Sequence, residues 1–187
     1  MHGDEATATM SIADLLNFLS HHGQFRQIHD LLAEKCTLYI LPMVNPDGAE
    51  VFNRRNAMDI DINRDFHRQQ SPEGRILRHL RDEIKPHFGF NLHDQSTLWS
   101  AGNTGNPATI SLLAPVYDEA LSINSTREQA IKVIAVMNSA IQKSISNQVG
   151  RFDDEYEPRA FGDNFQAAGT STILIEAGGS YNDPEKQ

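Results

Sequence analysis

The chain has 187 residues, with 16 Lys plus Arg against 25 Asp plus Glu and a formal net charge of -9. That length suits one domain with a sizeable core, and the acidic balance argues against nucleic acid or an anionic membrane surface as the main partner. No apolar run reaches the length of a membrane span, the first ten residues carry no basic region followed by an apolar core, and the lone Cys36 cannot form an internal disulfide.

In chain order, helical spacing of Met10, Ala13, Leu15, Leu16 and Leu19 predicts a helix over Thr7 to Leu19, and a weaker one follows over Phe25 to Ala33. Cys36 to Val44 reads as a buried strand closed by Pro42 and the turn Asn45-Pro46-Asp47-Gly48. After a long polar stretch to about Gln70, Ser71-Pro72-Glu73 starts a helix that should run to about Ile84. "HFGFNLHD" reads as a strand ending at His93, and "ATISLLAPV" as another. Ser125 to Glu128 has the form of a capping box, opening a helix to about Ser146. Residues 147–169 read as loop, and "TSTILIEAGG" as a last buried strand finishing at Glu176. Strands alternating with helices imply an α/β layered fold.

Chemistry-bearing residues sit at element ends. His93 and Glu176 end strands, and His2 and Glu5 precede a helix. In open α/β sheets ligands bind beyond the carboxyl ends of the strands, so these residues could converge. Two imidazoles and a carboxylate are a usual ligand set for catalytic zinc, and a further carboxylate can serve as general base. Taken alone, His2 and Glu5 also fit a solvated terminus with a first-turn acid favouring the helix dipole. Asp59-x-Asp61-x-Asn63 mimics the opening of a calcium loop, but Arg64 replaces the turn glycine and Gln70 the bidentate glutamate.

Four ordered pieces, "HGDE", "NPDG…RRNAMDIDINRDF", "NLHD" and "TSTILIEAGG", span residues 2–179. Together they resemble the zinc carboxypeptidases, the carboxypeptidase A-like metallopeptidases. The resemblance implies a three-layer α/β/α fold with a mixed, mostly parallel central sheet. It implies one Zn2+ per chain, with His2, Glu5 and His93 as its ligands. Glu176 resembles the general base that deprotonates the zinc-bound water and protonates the leaving amine, with a pKa that desolvation should raise. Arg54 resembles the arginine that polarises the scissile carbonyl; choosing it over Arg55 rests on its place nine residues before Asn63. Asn63 and Arg64 resemble the pair that grips a substrate's terminal carboxylate, and Asp61 the carboxylate that orients His2. Tyr156 is the candidate for the family's mobile tyrosine. His21, His22, His29 and His79 read as structural or solvated, and Trp99 as an ordinary packing residue before a substrate-facing aromatic.

The chain also departs from the pattern. Family members carry several dozen residues before the first ligand motif, supplying early strands. The expectation is therefore one catalytic domain over residues 1–187, trimmed at its N-terminus and short at its C-terminus, whose sheet lacks its first strands and exposes an apolar edge. Asp59 replaces the family's glycine and would add negative charge near the site. The expected substrate is a peptide with a free carboxylate. Alternatives with the same ligands are an N-acyl-amino-acid hydrolase of desuccinylase or aspartoacylase type, a cell-wall peptidase, or a non-catalytic remnant. The compartment is not readable, because an export signal would precede this stretch.

Overall fold

The computed structural model describes residues 1–20, 23–95 and 98–181; His21 and His22 lie outside them. Four strands form one sheet in the order β1-β4-β2-β3, with β1 Phe88–Asp94, β2 Ile110–Leu113, β3 Val149–Arg151 and β4 Ser171–Ala177. The β1–β4 and β2–β3 pairings are parallel and β4–β2 is antiparallel, so the sheet is mixed and mostly parallel, as expected. The β1–β4 register sets His93 directly beside Glu176.

The described residues also form six α-helices: α1 Thr7–Ser20, α2 Arg26–Lys35, α3 Pro46–Glu50, α4 Pro72–Ile84, α5 Ser125–Ile141 and α6 Phe161–Ala167. α5 covers one face of β4, where Ile173 and Ile175 pack with Ala114, Ala130, Val133, Ile134 and Met137. Side chains alternate along a strand, so Glu176 projects from the face opposite that cluster. A second cluster joins Ile62, Phe66 and Phe161 to Val44, Leu77, Phe165 and Met1. It ties a 3₁₀ turn at Ile62–Arg64 to α4 and α6.

The start of α4 matches its sequence signal. Ser71 accepts the Gly74 N–H through its hydroxyl oxygen, and Pro72 occupies the first turn. The buried Asp65 carboxylate fixes this cap by accepting bonds from Gln70 N, Ser71 N and Ser71 Oγ at 2.7–3.0 Å.

Four expectations need correction. Cys36 to Val44 belongs to no strand among the described residues; Leu38, Tyr39, Leu41 and Met43 are exposed. Apolar, β-rich composition states what a strand would bury, but a ladder also needs a neighbour, and neither this stretch nor the outer edge of β1 has one. The cap of α5 is Asn124, which accepts the Arg127 N–H at 2.8 Å, with Ser125 already helical. That helix closes at Ile141, where Lys143 and Ser144 bond three residues back instead of four. Residues 147–169 are not all loop, because they hold β3 and α6. Phe161 and Phe165, one helical turn apart, carried the unread signal for α6.

Asp65→Ala should cost about 3 kcal/mol, since it leaves both buried donors of Ser71 unpaired and frees the Gln70 N–H. Chemical denaturation of the variant beside Ser71→Ala, expected to lose only about 1 kcal/mol, checks this.

Candidate metal centre

His2 and Glu5 lie in the turn before α1. Two contacts place it. Gly3 packs against the backbone of Gly48: a Cβ built on Gly3 would lie 2.1 Å from the Gly48 carbonyl carbon, so only glycine allows the approach. Asp94, at the end of β1, accepts the Thr7 N–H at 3.2 Å and the Thr7 hydroxyl at 2.8 Å. A carboxylate at the helix N-terminus satisfies an open donor and complements the dipole. The residue before it is His93.

The result is a buried cluster. Glu5 places one oxygen 2.6 Å from His2 Nδ1 and the other 2.7 Å from His93 Nδ1, and the two imidazole nitrogens are 3.2 Å apart. Burial alone would raise the Glu5 carboxyl, but hydrogen bonds to His2 and His93 outweigh it and hold the group well below the usual carboxylate range. Burial pushes His93 down, away from protonation. For His2 burial acts the same way, yet bonds to Asp61 and Glu5 prevail and raise it. Three donor atoms, all within 4.8 Å of one another, converge in a pocket nearly closed to water. Two nitrogens and a carboxylate oxygen in that arrangement fit a divalent cation of zinc type.

Asp61 and Arg54 form the wall beside it. Asp61 Oδ1 lies 3.3 Å from His2 Nε2, the nitrogen turned away from the cluster, and Asp61 Oδ2 accepts Arg54 Nε at 3.0 Å. Arg54 Nη1 reaches to 3.2 Å from His2 Nδ1. Asn45, buried, accepts the Gly48 N–H and donates to the Arg54 carbonyl, so "NPDG" positions both the glycine under Gly3 and the arginine. Arg55 points elsewhere and donates to the Asp59 carbonyl. Asp59 adopts φ +58°, a left-handed backbone angle that glycine adopts most readily. Its side chain is 90% exposed beside Arg55, so it does not charge the site as expected.

Asn63 and Arg64 occupy the 3₁₀ turn Ile62–Arg64, which Asp61 caps by accepting the Asn63 N–H at 3.0 Å. Asn63 Oδ1 accepts the Phe161 N–H at 3.1 Å, and Arg64 Nε meets Glu157 Oε2 at 3.0 Å. Glu176 is buried at the end of β4, beside His93. Tyr156 is half-buried in the loop after β3 and borders an open cleft of about 400 Å3 with Glu119, Leu121, Asp153, Asp154 and Glu155. His2, Glu5 and His93 do not line that cleft. Trp99 is 60% exposed and so is not a packing residue. His29 and His79 pair with Asp30 and Glu83, away from the cluster. Gly3, Asn45, Gly48 and Asp94 position the cluster through close approach and capping, which are properties of the fold that local sequence pattern does not report.

The zinc carboxypeptidase family pattern matches residues 1–172, and the chain belongs to that family. It is 33% identical over 85 residues to carboxypeptidase SOL1 of Arabidopsis thaliana, covering 46% of this chain and 17% of that protein. It is 29% identical over 107 residues to carboxypeptidase 2 of Trichophyton rubrum, covering 57% of this chain and 19% of that protein. Among solved structures it superposes on a metallo-carboxypeptidase from Burkholderia cenocepacia with a TM-score of 0.70 at 21% identity, covering 94% of this chain and 45% of that one. The chain thus spans less than a fifth of those two curated relatives and under half of that structure.

Asp61→Asn should weaken zinc binding about 10–100-fold, as loss of a carboxylate behind a ligating histidine does; competition with a chromogenic chelator measures it. A separate test concerns Asp163, which burial raises from 3.8 to about 6. A carboxyl raised in the folded state makes the chain lose stability as pH climbs through about 4 to 6. Asp163→Asn, which can still accept the Glu157 N–H, should therefore be neutral below pH 4 and stabilising by on the order of 1 kcal/mol at pH 7.5. Paired denaturation curves at the two pH values check the sign.

Proposed function

We propose that the chain is the catalytic part of a zinc-dependent carboxypeptidase that hydrolyses the C-terminal amide bond of peptides. One observation carries the reading: His2, Glu5 and His93, separated by up to 91 residues, bring their donor atoms to one buried point beside Arg54. His2, Glu5 and His93 would hold one zinc ion, which when bound supplies Lewis acidity to the carbonyl and the attacking water.

The remaining work falls to this chain's side chains. Glu176 takes a proton from the attacking water and returns it to the departing amine nitrogen. Its place beside His93 in the β1–β4 register keeps it at the same end of the sheet as the ligands. The Arg54 guanidinium stabilises negative charge on the carbonyl oxygen, a role worth about 2.7–4 kcal/mol for one such donor. Asp61 holds Arg54 in that position while orienting His2. Asn63 and Arg64 bind the free terminal carboxylate, and Tyr156 belongs to the loop that shapes the side-chain cleft.

Zinc per chain, measured on the wild type, His93→Ala and Glu176→Gln, tests the site, with hydrolysis assayed on the same samples. The expected result is one zinc in the wild type, loss in His93→Ala, and retained zinc with activity reduced about 10²–10⁴-fold in Glu176→Gln. Peptides with a free C-terminus should be cleaved and their C-terminal amides spared. Turnover of N-acyl amino acids in place of peptides would replace this reading with the acyl-amino-acid hydrolase one. A folded wild type that takes up no zinc would overturn both.

A further inference from the structure

Glu157 is a carboxylate sitting where a ligand carboxylate is expected. Its Oε2 meets Arg64 Nε at 3.0 Å. It is also gripped by Arg159, which donates through Nε to Oε1 at 2.8 Å and through Nη2 to Oε2 at 2.7 Å. The Arg159 backbone N–H adds a bond to Oε1 at 3.1 Å. Hydrogen bonds from Arg159, above all, hold the Glu157 carboxyl down at about 2, so it is charged at any working pH. The same segment reaches Asn63, whose Oδ1 accepts the Phe161 N–H. That bond uses the acceptor end of the amide and directs Asn63 to offer Nδ2 as donor. Asn63 is therefore set to meet a carboxylate, while Arg64 already holds one.

Resting on the reading that Arg64 anchors a substrate's terminal carboxylate, we propose that Glu157 is an internal competitor for Arg64 and sets how tightly a free carboxylate is held. A bound ligand takes the Arg64 guanidinium, and Glu157 remains on Arg159, whose side-chain and backbone bonds to it do not involve Arg64. Only one leg of a two-arginine grip is exchanged. The exchange is between like groups, carboxylate for carboxylate, so an uncharged C-terminus gains nothing by it. Glu157 thus weakens a carboxylate ligand, which must displace it, and leaves untouched an uncharged one, which does not take Arg64. Arg159, 60% exposed in its side chain, is the partner that makes release of Glu157 affordable.

The test is binding of 3-phenylpropanoate, a carboxylate with no amide to cleave, to the zinc-loaded protein by titration calorimetry, with 3-phenylpropanamide as the uncharged control. Glu157→Gln should tighten the carboxylate about fivefold, the upper range for an exposed ion pair, and leave the amide unchanged. Arg159→Gln should act oppositely and weaken the carboxylate, because Glu157 then depends on Arg64 alone. Arg159 is on the surface, so this variant reads the proposal even if Glu157→Gln folds poorly. Opposite shifts support the proposal; carboxylate affinities equal to wild type in both variants overturn it. Arg64→Gln separates the two levels. If it leaves carboxylate binding intact, the anchor reading itself fails, whereas a loss there with no response at Glu157 and Arg159 removes the competitor alone.

Discussion

The bond from Asp94 to the first turn of α1 is the constraint on which the site depends. It joins residues 87 apart and ties the end of β1 to the turn that holds His2 and Glu5. Charge-assisted bonds to a helix N-terminus are among the stronger polar contacts available, and this one ends at the residue next to a ligand. Without it the turn that holds His2 and Glu5 would have to be ordered by its other contacts alone to reach His93. The Gly3–Gly48 approach fixes the other side of the same turn, and through Asn45 it is coupled to Arg54. The His2–Glu5–His93 cluster and the charged wall are thus set by one small scaffold rather than by separate loops.

That scaffold concentrates ionisable groups where water is scarce. Glu5, His2 and His93 are nearly closed to solvent, with Asp61 just behind. Burying such groups is unfavourable unless each finds a partner, and the bonds to His2 and His93 keep Glu5 ionised. An ionised carboxylate and two imidazoles facing one point form a site whose groups mutually satisfy each other only in part. A cation is the partner that would meet all three at once. Stability must come from elsewhere: the α5–β4 cluster and the aromatic cluster of Phe66, Phe161 and Phe165, whose rings meet edge to face.

How much of this was legible in the sequence depends on the range of the interaction. The α4 cap, β1, β4 and the boundaries of α1 follow from local pattern, because Ser-Pro-Glu, alternation and helical spacing act within a few residues. Arg54 could be preferred over Arg55 by spacing, and the two side chains do point to different places. Cys36 to Val44 misled because strand formation requires a second chain segment, which no window of sequence reports. Asp59 misled for a different reason: its backbone angle, not its charge, is what the position demands. Glu157 was invisible as a partner of Arg64, since 93 residues separate them and acids are common in that loop.

The long apolar exterior of α1 and α2 bears on how the site keeps its shape. Neither helix buries a residue, and Met10, Leu15, Leu16, Ile28 and Leu31 are exposed. Among the described residues α1 makes tertiary hydrogen bonds only through Thr7, to Asp94, and Thr9, to the Pro42 carbonyl. Both lie in its first turn. The helix therefore grips the molecule at the end that carries the ligands, and its later turns can shift or fray without moving His2 or Glu5. The same first turn meets the end of β1 through Asp94 and residues 36–44 through Pro42. The turn that holds His2 and Glu5, the end of β1 and residues 36–44 are thus tied to one short stretch of α1 through two threonines.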